Sequence, residues 1–273
     1  MLFESLNYEE AQMVHKAILF AEKAHRGQKC SGSSAAFIIH PMEVLQILEA
    51  VQAPAEVKLA GILHECLAKT DVTYEDLELE FGKEVADIVS ACTIDEGSSW
   101  YETKSLEIEN AENIGFYEKL VIMADVISNM RQLRDNLMNQ GDDFWDVLPV
   151  KKDDVEWYYS KIQDALYELS EVEEVRTVYW EIVDLFKEMF VRFFQVDDTY
   201  LLQATESEVH MFNPKDMEWY DVSDQISMSE LANIDGCREI DQELAEQLED
   251  ILVVGVNVKK QTMFANYEDL GHN

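Results

Sequence analysis

Between Tyr8 and Arg26 the apolar residues Ala11, Val14, Ile18, Ala21 and Ala24 recur at three- and four-residue steps. That is the period of a helix with one buried face, and Gly27 is placed to end it. Gln28 to Ala36 is rich in Gly and Ser and reads as a loop leading into Phe37-Ile38-Ile39-His40-Pro41. Pro41 suits the first turn of a second helix, whose apolar side is Met42, Val44, Leu45, Ile47 and Leu48. Ala55 to Leu67 is apolar on most sides, the pattern of a central bundle helix, and His64-Glu65 interrupts it. Thr73 and Asp76 form a capping-box pattern ahead of a short helix closed at Gly82, and another helix is expected from Glu84 to about Cys92. The polar stretch Thr93 to Asn113, with Gly97 and two adjacent Ser, predicts a long loop or weak helix. Leu120, Ile122, Met123, Val126, Ile127, Met130 and Leu133 then specify a mostly buried helix that carries Asp125 and Asn129.

Two further helices, near Asp154 to Leu169 and Val172 to Phe194, complete an all-α domain spanning residues 1–196. The pattern then changes. Tyr200 to Phe212 and Met217 to Val222 are strand-like arms around the turn signal Asn213-Pro214-Lys215-Asp216. Glu239 to Ile251 reads as a helix and Leu252 to Val258 as a short strand. The expected fold is mainly α, a helical bundle with a small C-terminal α+β appendage over residues 197–273.

Composition narrows the function classes. The chain of 273 residues is 47% hydrophobic and 10% aromatic, enough for a packed core and too much for a disordered chain. Its 56 acidic against 21 basic residues leave a formal charge of −35. A field of that sign repels nucleic-acid backbones and anionic membrane surfaces, so neither is an expected partner, whereas divalent cations are favoured. The longest apolar runs fall far short of the ~20 residues needed to cross a bilayer. Four cysteines without CxxC spacing, and no signal-peptide pattern, lead us to expect a reducing, cytoplasmic setting.

The candidate chemistry lies in polar residues set into apolar helices. His40 opens one helix, His64-Glu65 interrupts a second, and Asp125 interrupts a third with Asn129 one turn later on the same face. Burying two ionised carboxylates without partners costs several kcal/mol, so a shared divalent cation is an economical explanation. Two imidazoles and two carboxylates suit Mn²⁺, Fe²⁺ or Zn²⁺. A metal-free histidine–carboxylate hydrogen-bond network in the core is the alternative.

In order, FAEKAHRGQ (Phe20 to Gln28), FIIHP (Phe37 to Pro41), GILHE (Gly61 to Glu65), TDVTYEDLELEFGKEVADIVSACT (Thr70 to Thr93) and KLVIMADVISNMRQLRD (Lys119 to Asp135) resemble the motifs of the RelA/SpoT-type HD-domain hydrolases of the alarmone (p)ppGpp. The resemblance covers about residues 8–137. It implies an all-α HD fold, a single metal that is usually manganese, and removal of a 3′-pyrophosphate from a small phosphorylated substrate. It also implies His40, His64, Glu65 and Asp125 as metal ligands, with Glu65 and Asp125 also catalytic, and Asn129, Lys29 and Lys104 as substrate contacts. A protein partner through the C-terminal region is a further expectation.

The departures from that family bear on activity. Glu65 stands where the family has Asp, and its extra methylene moves the carboxylate by more than about 1 Å. The family's Glu-Asp pair, thought to position water, is replaced by Ala68-Lys69. Basic positions are represented by Cys30, Ile122 and Thr103. We therefore expect a metal-dependent phosphohydrolase acting on a nucleotide or related phosphate ester, with Glu102 or Glu107 replacing the lost acids. The alternative is a degenerate, non-catalytic HD protein with a binding or regulatory role.

Overall fold

Every residue from Val57 to Leu63 is buried, Lys58 by pairing with Glu49 at 3.0 Å, and a segment apolar on most sides settles at the centre of a bundle rather than on its surface. The computed structural model describes residues 8–30, 34–95, 97–197, 199–231 and 233–258, with side chains as far as Leu252. It places the central segment as α3 (Ala55–Leu63), packed by α1 (Tyr8–Ala24), α2 (Ile39–Ala50), α6 (Lys83–Cys92) and α8 (Phe116–Gln140). The close approach of α3 to α2 depends on Gly61. A Cβ there would overlap Leu48 Cδ1 and lie 3.2 Å from Val44 Cγ1.

The central helix stops at Leu63, short of the expected Leu67, and a separate turn, α4 (Cys66–Lys69), follows. At the break, the His64 ring Nδ1 lies 2.8 Å from the Gly61 carbonyl. Glu65 takes φ −90° and ψ −6°, the sparsely populated region between helix and strand that recurs at functional residues. Thr73 and Asp76 form the reciprocal capping box of α5 (Tyr74–Phe81), which Gly82 ends at a φ of 91°.

The stretch expected to be loop or weak helix holds a regular one, α7 (Trp100–Asn113). The Ser99 hydroxyl accepts from the Glu102 backbone N–H at its start. Tertiary contact supplies what the polar sequence lacks: Tyr101 stacks on Trp157 of α9 (Lys152–Ala165) with ring centroids 4.4 Å apart. The bundle continues through a 3-10 turn, Tyr167–Glu171, into α10 (Glu173–Phe190).

The chain divides into two compact units, Met1–Phe186 and Lys187–Asn273, ten residues earlier than the boundary drawn from sequence. Helix α10 ends at Phe190 instead of Phe194 because residues 192–196 form β1 (Arg192–Val196), an interior strand of an antiparallel sheet. With β2 (Tyr200–Ala204), β3 (Val209–Asn213), β4 (Glu218–Asp221) and β5 (Cys237–Ile240), the order is β4-β3-β2-β1-β5. The β3–β4 hairpin turns at Asn213 to Asp216 as expected, with Phe212 opposite Trp219. Its first arm is two strands, since a turn at Thr205 to Glu208 folds β2 onto β3.

Two further expectations in this unit are overturned. The helix expected from Glu239 starts only at Gln242, and residues 239–240 belong to β5 instead, because Phe193 and Phe194 of β1 register with Ile240 and Glu239. Residues 252–258 continue the helix α12 (Gln242–Val258) instead of forming a strand. Ala245, Leu248 and Leu252 keep helical spacing against Phe193, Leu201 and Phe212 on one face of the sheet. A short β-branched run cannot by itself be distinguished from the end of such a helix. The other face is closed within the same unit by Val222 and by Leu231 of the one-turn helix α11 (Met228–Leu231).

Candidate metal and phosphate-ester site

His40 is the second residue of α2, His64 and Glu65 occupy the break between α3 and α4, and Asp125 faces them from the middle of α8. The structure brings all four together: one donor atom from each lies within 4.8 Å of the others. His40 Nε2 is 3.0 Å and His64 Nε2 3.4 Å from the same Asp125 oxygen, Oδ1, and the two ring nitrogens are 3.2 Å apart. Glu65 is the outlier, with Oε1 3.9 Å from His64 Nε2 and 2.7 Å from Lys69 Nζ.

Hydrogen bonds behind the rings decide what these nitrogens offer. The Ser128 hydroxyl donates to Glu43 Oε2 at 2.9 Å, which leaves its lone pair to accept from His40 Nδ1–H, also at 2.9 Å. His64 Nδ1–H donates to the Gly61 carbonyl. With both Nδ1 atoms committed as donors, each neutral ring presents an Nε2 lone pair, and the two lone pairs converge beside a carboxylate. Such an arrangement needs a proton or a cation between the rings. Glu43 is fixed in turn by Arg131 Nη1 at 3.1 Å, and Arg131 holds Glu181 through Nε at 2.6 Å and Nη2 at 2.9 Å.

Electrostatics follow the same geometry. Burial alone would raise the Asp125 carboxyl, but hydrogen bonds and charge from His40 and His64 outweigh it and hold the group well below the ordinary carboxylate range. Burial opposes protonation of His64, yet Asp125 and Glu65 outweigh it and its pKa lies above the usual imidazole value. Lys69 behaves alike, its burial offset by Glu65, so the ammonium stays charged. These are the marks of a cluster that attracts a cation. His25, whose pKa is lowered by burial, is a neutral packing residue against Phe37 at 4.5 Å and Gln28 at 2.8 Å. Burial pushes the Cys66 thiol up to about 12, which removes it as a nucleophile.

The cluster opens into a cleft of about 730 Å³ within the first unit. Asn129 lies on its wall and donates from Nδ2 to Asp125 Oδ1 at 2.8 Å. Lys104 is also on the wall, its ammonium 2.7 Å from Glu107 Oε2 and 4.4 Å from the Tyr158 ring centroid. Lys29 stands apart, on an adjoining recess of about 410 Å³ shared with His40, Lys69 and Asn129. Of the two acids expected as replacements, Glu107 reaches the cleft and accepts from the Tyr158 hydroxyl at 2.9 Å, whereas the Glu102 carboxylate caps the Ser98 backbone N–H at 2.8 Å. Ala68, Thr103 and Ile122 do line the cleft and bring no charge to it.

Sequence reasoning missed Ser128, Glu43, Arg131 and Tyr158. The available signal was spacing, since Glu43 and Ser128 each lie three residues beyond a candidate ligand on the same helix face.

With this geometry in place, comparison with known proteins assigns the family. A model of the HD domain matches residues 17–144. The (p)ppGpp 3′-pyrophosphohydrolase MESH1 of Xenopus tropicalis is 33% identical over 128 residues, 46% of this chain and 72% of that protein. The chain belongs to the HD-domain family that includes MESH1 and SpoT. Human MESH1 is 35% identical over 127 residues, covering 45% of this chain and 71% of its own length. The bifunctional (p)ppGpp synthase/hydrolase SpoT of Escherichia coli is 32% identical over 146 residues, which span 48% of this chain and only 21% of that larger protein. Among solved structures, a metazoan orthologue of SpoT described as hydrolysing ppGpp superposes with a TM-score of 0.55 at 26% identity, over 64% of this chain and 94% of that one. A Listeria monocytogenes protein, lmo0812, superposes at 0.52 with 30% identity, over 55% of this chain and 97% of that one. HD hydrolases bind divalent metals, and this member of the family assembles a donor set of the right kind. No helix among the described residues is long and apolar enough to cross a membrane.

Proposed function

We propose that this protein is a metal-dependent phosphohydrolase acting on a nucleotide or related phosphate ester, with manganese as its ion. The observation that carries the reading is the pair of histidine Nε2 atoms 3.2 Å apart, each with its Nδ1 proton committed elsewhere, both facing ionised Asp125. In this reading His40, His64, Glu65 and Asp125 hold the ion. When bound, a divalent ion supplies an acidified water and shields the phosphoryl oxygens. Glu65 and Asp125 balance the ion's charge, and Asn129 orients Asp125 from the cleft side. Glu107, steadied by Lys104 and the Tyr158 hydroxyl, is the acid placed to hold a proton during hydrolysis, in the role that Ala68 and Lys69 cannot fill. Burial keeps the Tyr158 phenol well above its ordinary pKa, so it remains a donor to Glu107. Lys29 and Lys104 contact the phosphate-bearing ligand. A reducing, cytoplasmic setting belongs to this reading and is supported by the free thiols of the four cysteines.

A second reading rests on the Lys69–Glu65 ion pair at 2.7 Å. An ammonium on a candidate ligand competes with a metal ion, as expected of an HD protein that keeps the fold and has given up catalysis. Elemental analysis and calorimetry with Mn²⁺, Fe²⁺ and Zn²⁺, followed by phosphate-release assays, separate the two. Stoichiometric metal with phosphate release supports the hydrolase; failure of all three ions to bind leaves the non-catalytic protein.

A further inference from the structure

The cleft is short of positive charge. Among its described lining residues, the lysine and arginine side chains are Lys69 and Lys104, and each is already ion-paired at 2.7 Å, with Glu65 and Glu107 respectively. Asp125 adds a third carboxylate, so the walls hold one more negative than positive side chain before any ion is bound. Lys29 on the adjoining recess redresses that excess and goes no further. A divalent ion therefore leaves a local surplus near two positive charges, inside a chain whose formal charge is −35.

A phosphomonoester carries about −1.5 to −2 at neutral pH, which matches that surplus. A ligand bearing two diphosphate groups carries far more negative charge than the described lining residues and one divalent ion offset. The remaining walls indicate the body of the ligand. Trp100, Ile94 and Val150 are apolar lining residues, and Asn129, Gln132 and Asn136 set carboxamides along one stripe of α8. A lining that holds an indole and several carboxamides suits a nucleobase, and about 730 Å³ accommodates a nucleotide.

We infer that the ligand of this cleft is a nucleoside monophosphate, bound as a phosphomonoester dianion, in preference to a nucleotide carrying several diphosphates. The reaction, which rests on the phosphohydrolase reading above, is attack of a water oxygen on phosphorus. The ester P–O bond breaks with its electron pair remaining on the ester oxygen, that oxygen takes a proton, and nucleoside and inorganic phosphate result.

The test uses the manganese-loaded full chain with AMP, GMP and ppGpp, read in parallel by calorimetry and by product release. The expected result is binding of at least one monophosphate about 10-fold or more tighter than ppGpp, with phosphate release from the same compound. Tighter binding of ppGpp, or faster pyrophosphate release from it than phosphate release from AMP and GMP, overturns the inference and leaves the hydrolase reading standing. Absence of product from every compound overturns the hydrolase reading, while calorimetry still decides the ligand preference. Adding charge provides a second arm. Ile122→Arg on the wall and Ala68→Arg at the exposed rim should each strengthen ppGpp binding by about 5- to 10-fold, with little change for GMP. If a variant that retains its native circular dichroism shows no such gain, charge is not what selects the ligand and the inference falls.

Discussion

At the scale of single residues, the roles of His40 and His64 are set by atoms on their far sides. Ser128 passes the influence of Glu43 to His40, and Ser128 is only 1% exposed, so water cannot replace its hydroxyl. Ser128→Ala leaves His40 Nδ1 without its acceptor and frees the ring to take the other tautomer. Loss of such a partner typically weakens metal binding by about 10- to 100-fold. Manganese titration by calorimetry should show that drop, and unchanged affinity would remove the Ser128–Glu43 pair from the account. Glu107 invites a kinetic test. Removing a positioned acid–base group costs about 10²- to 10⁴-fold in rate. Glu107→Gln should therefore lower kcat by about that factor while manganese affinity stays near that of the native chain; an unaltered kcat would show that the proton is held elsewhere.

At the scale of elements, the site depends on how closely α2 and α3 approach, since α2 carries His40 and the end of α3 delivers His64. Gly61 sits at that crossing and its carbonyl also accepts the His64 ring N–H. In an isolated helix, alanine in place of glycine would stabilise by about 1 kcal/mol. Here the added methyl meets Leu48, which is fully buried, and overpacking of this kind costs about 1 to 3 kcal/mol. The second effect is larger because Leu48 has no exposed volume into which to turn. Gly61→Ala should lower stability in chemical denaturation and weaken manganese binding at the same time. A stabilised variant would show that the two helices separate more easily than their packing suggests.

At the scale of the molecule, the formal charge of −35 places carboxylates close together over much of the surface, and their repulsion is relieved by ions. Thermal stability should rise with added salt. Manganese should act at far lower concentration, because it binds a formed site. At 100 times its Kd a ligand that binds only the folded state contributes about 2.7 kcal/mol, or about 5 to 10 °C in Tm for a unit of this size. A melting curve that moves only at salt-like concentrations of manganese, and does not return when chelator is added, would count against a specific site.

The helical bundle, the HD motifs and the four candidate ligands were legible in the chain, because apolar periodicity and buried ligating side chains are local signals. His40, His64, Glu65 and Asp125 stand out as ligating side chains set among mainly apolar positions, and any fold that buries them must find them partners. The elements that sequence missed are those decided by distant contacts. Trp100–Asn113 looks too polar for a regular helix until Trp157 stacks on Tyr101, and Cys237–Ile240 becomes a strand only when β1 registers beside it. The same division runs through the site. The sequence by itself determined which residue types were available to hold a cation and that the family's acid pair and basic contacts were absent. Tertiary structure alone decided which histidine nitrogens face inward, that Glu107 and not Glu102 reaches the cleft, and that Lys69 lies on Glu65. Those outcomes depend on hydrogen bonds and ion pairs between residues far apart in the chain, such as His40 with Ser128, whose separation of 88 positions no local pattern records.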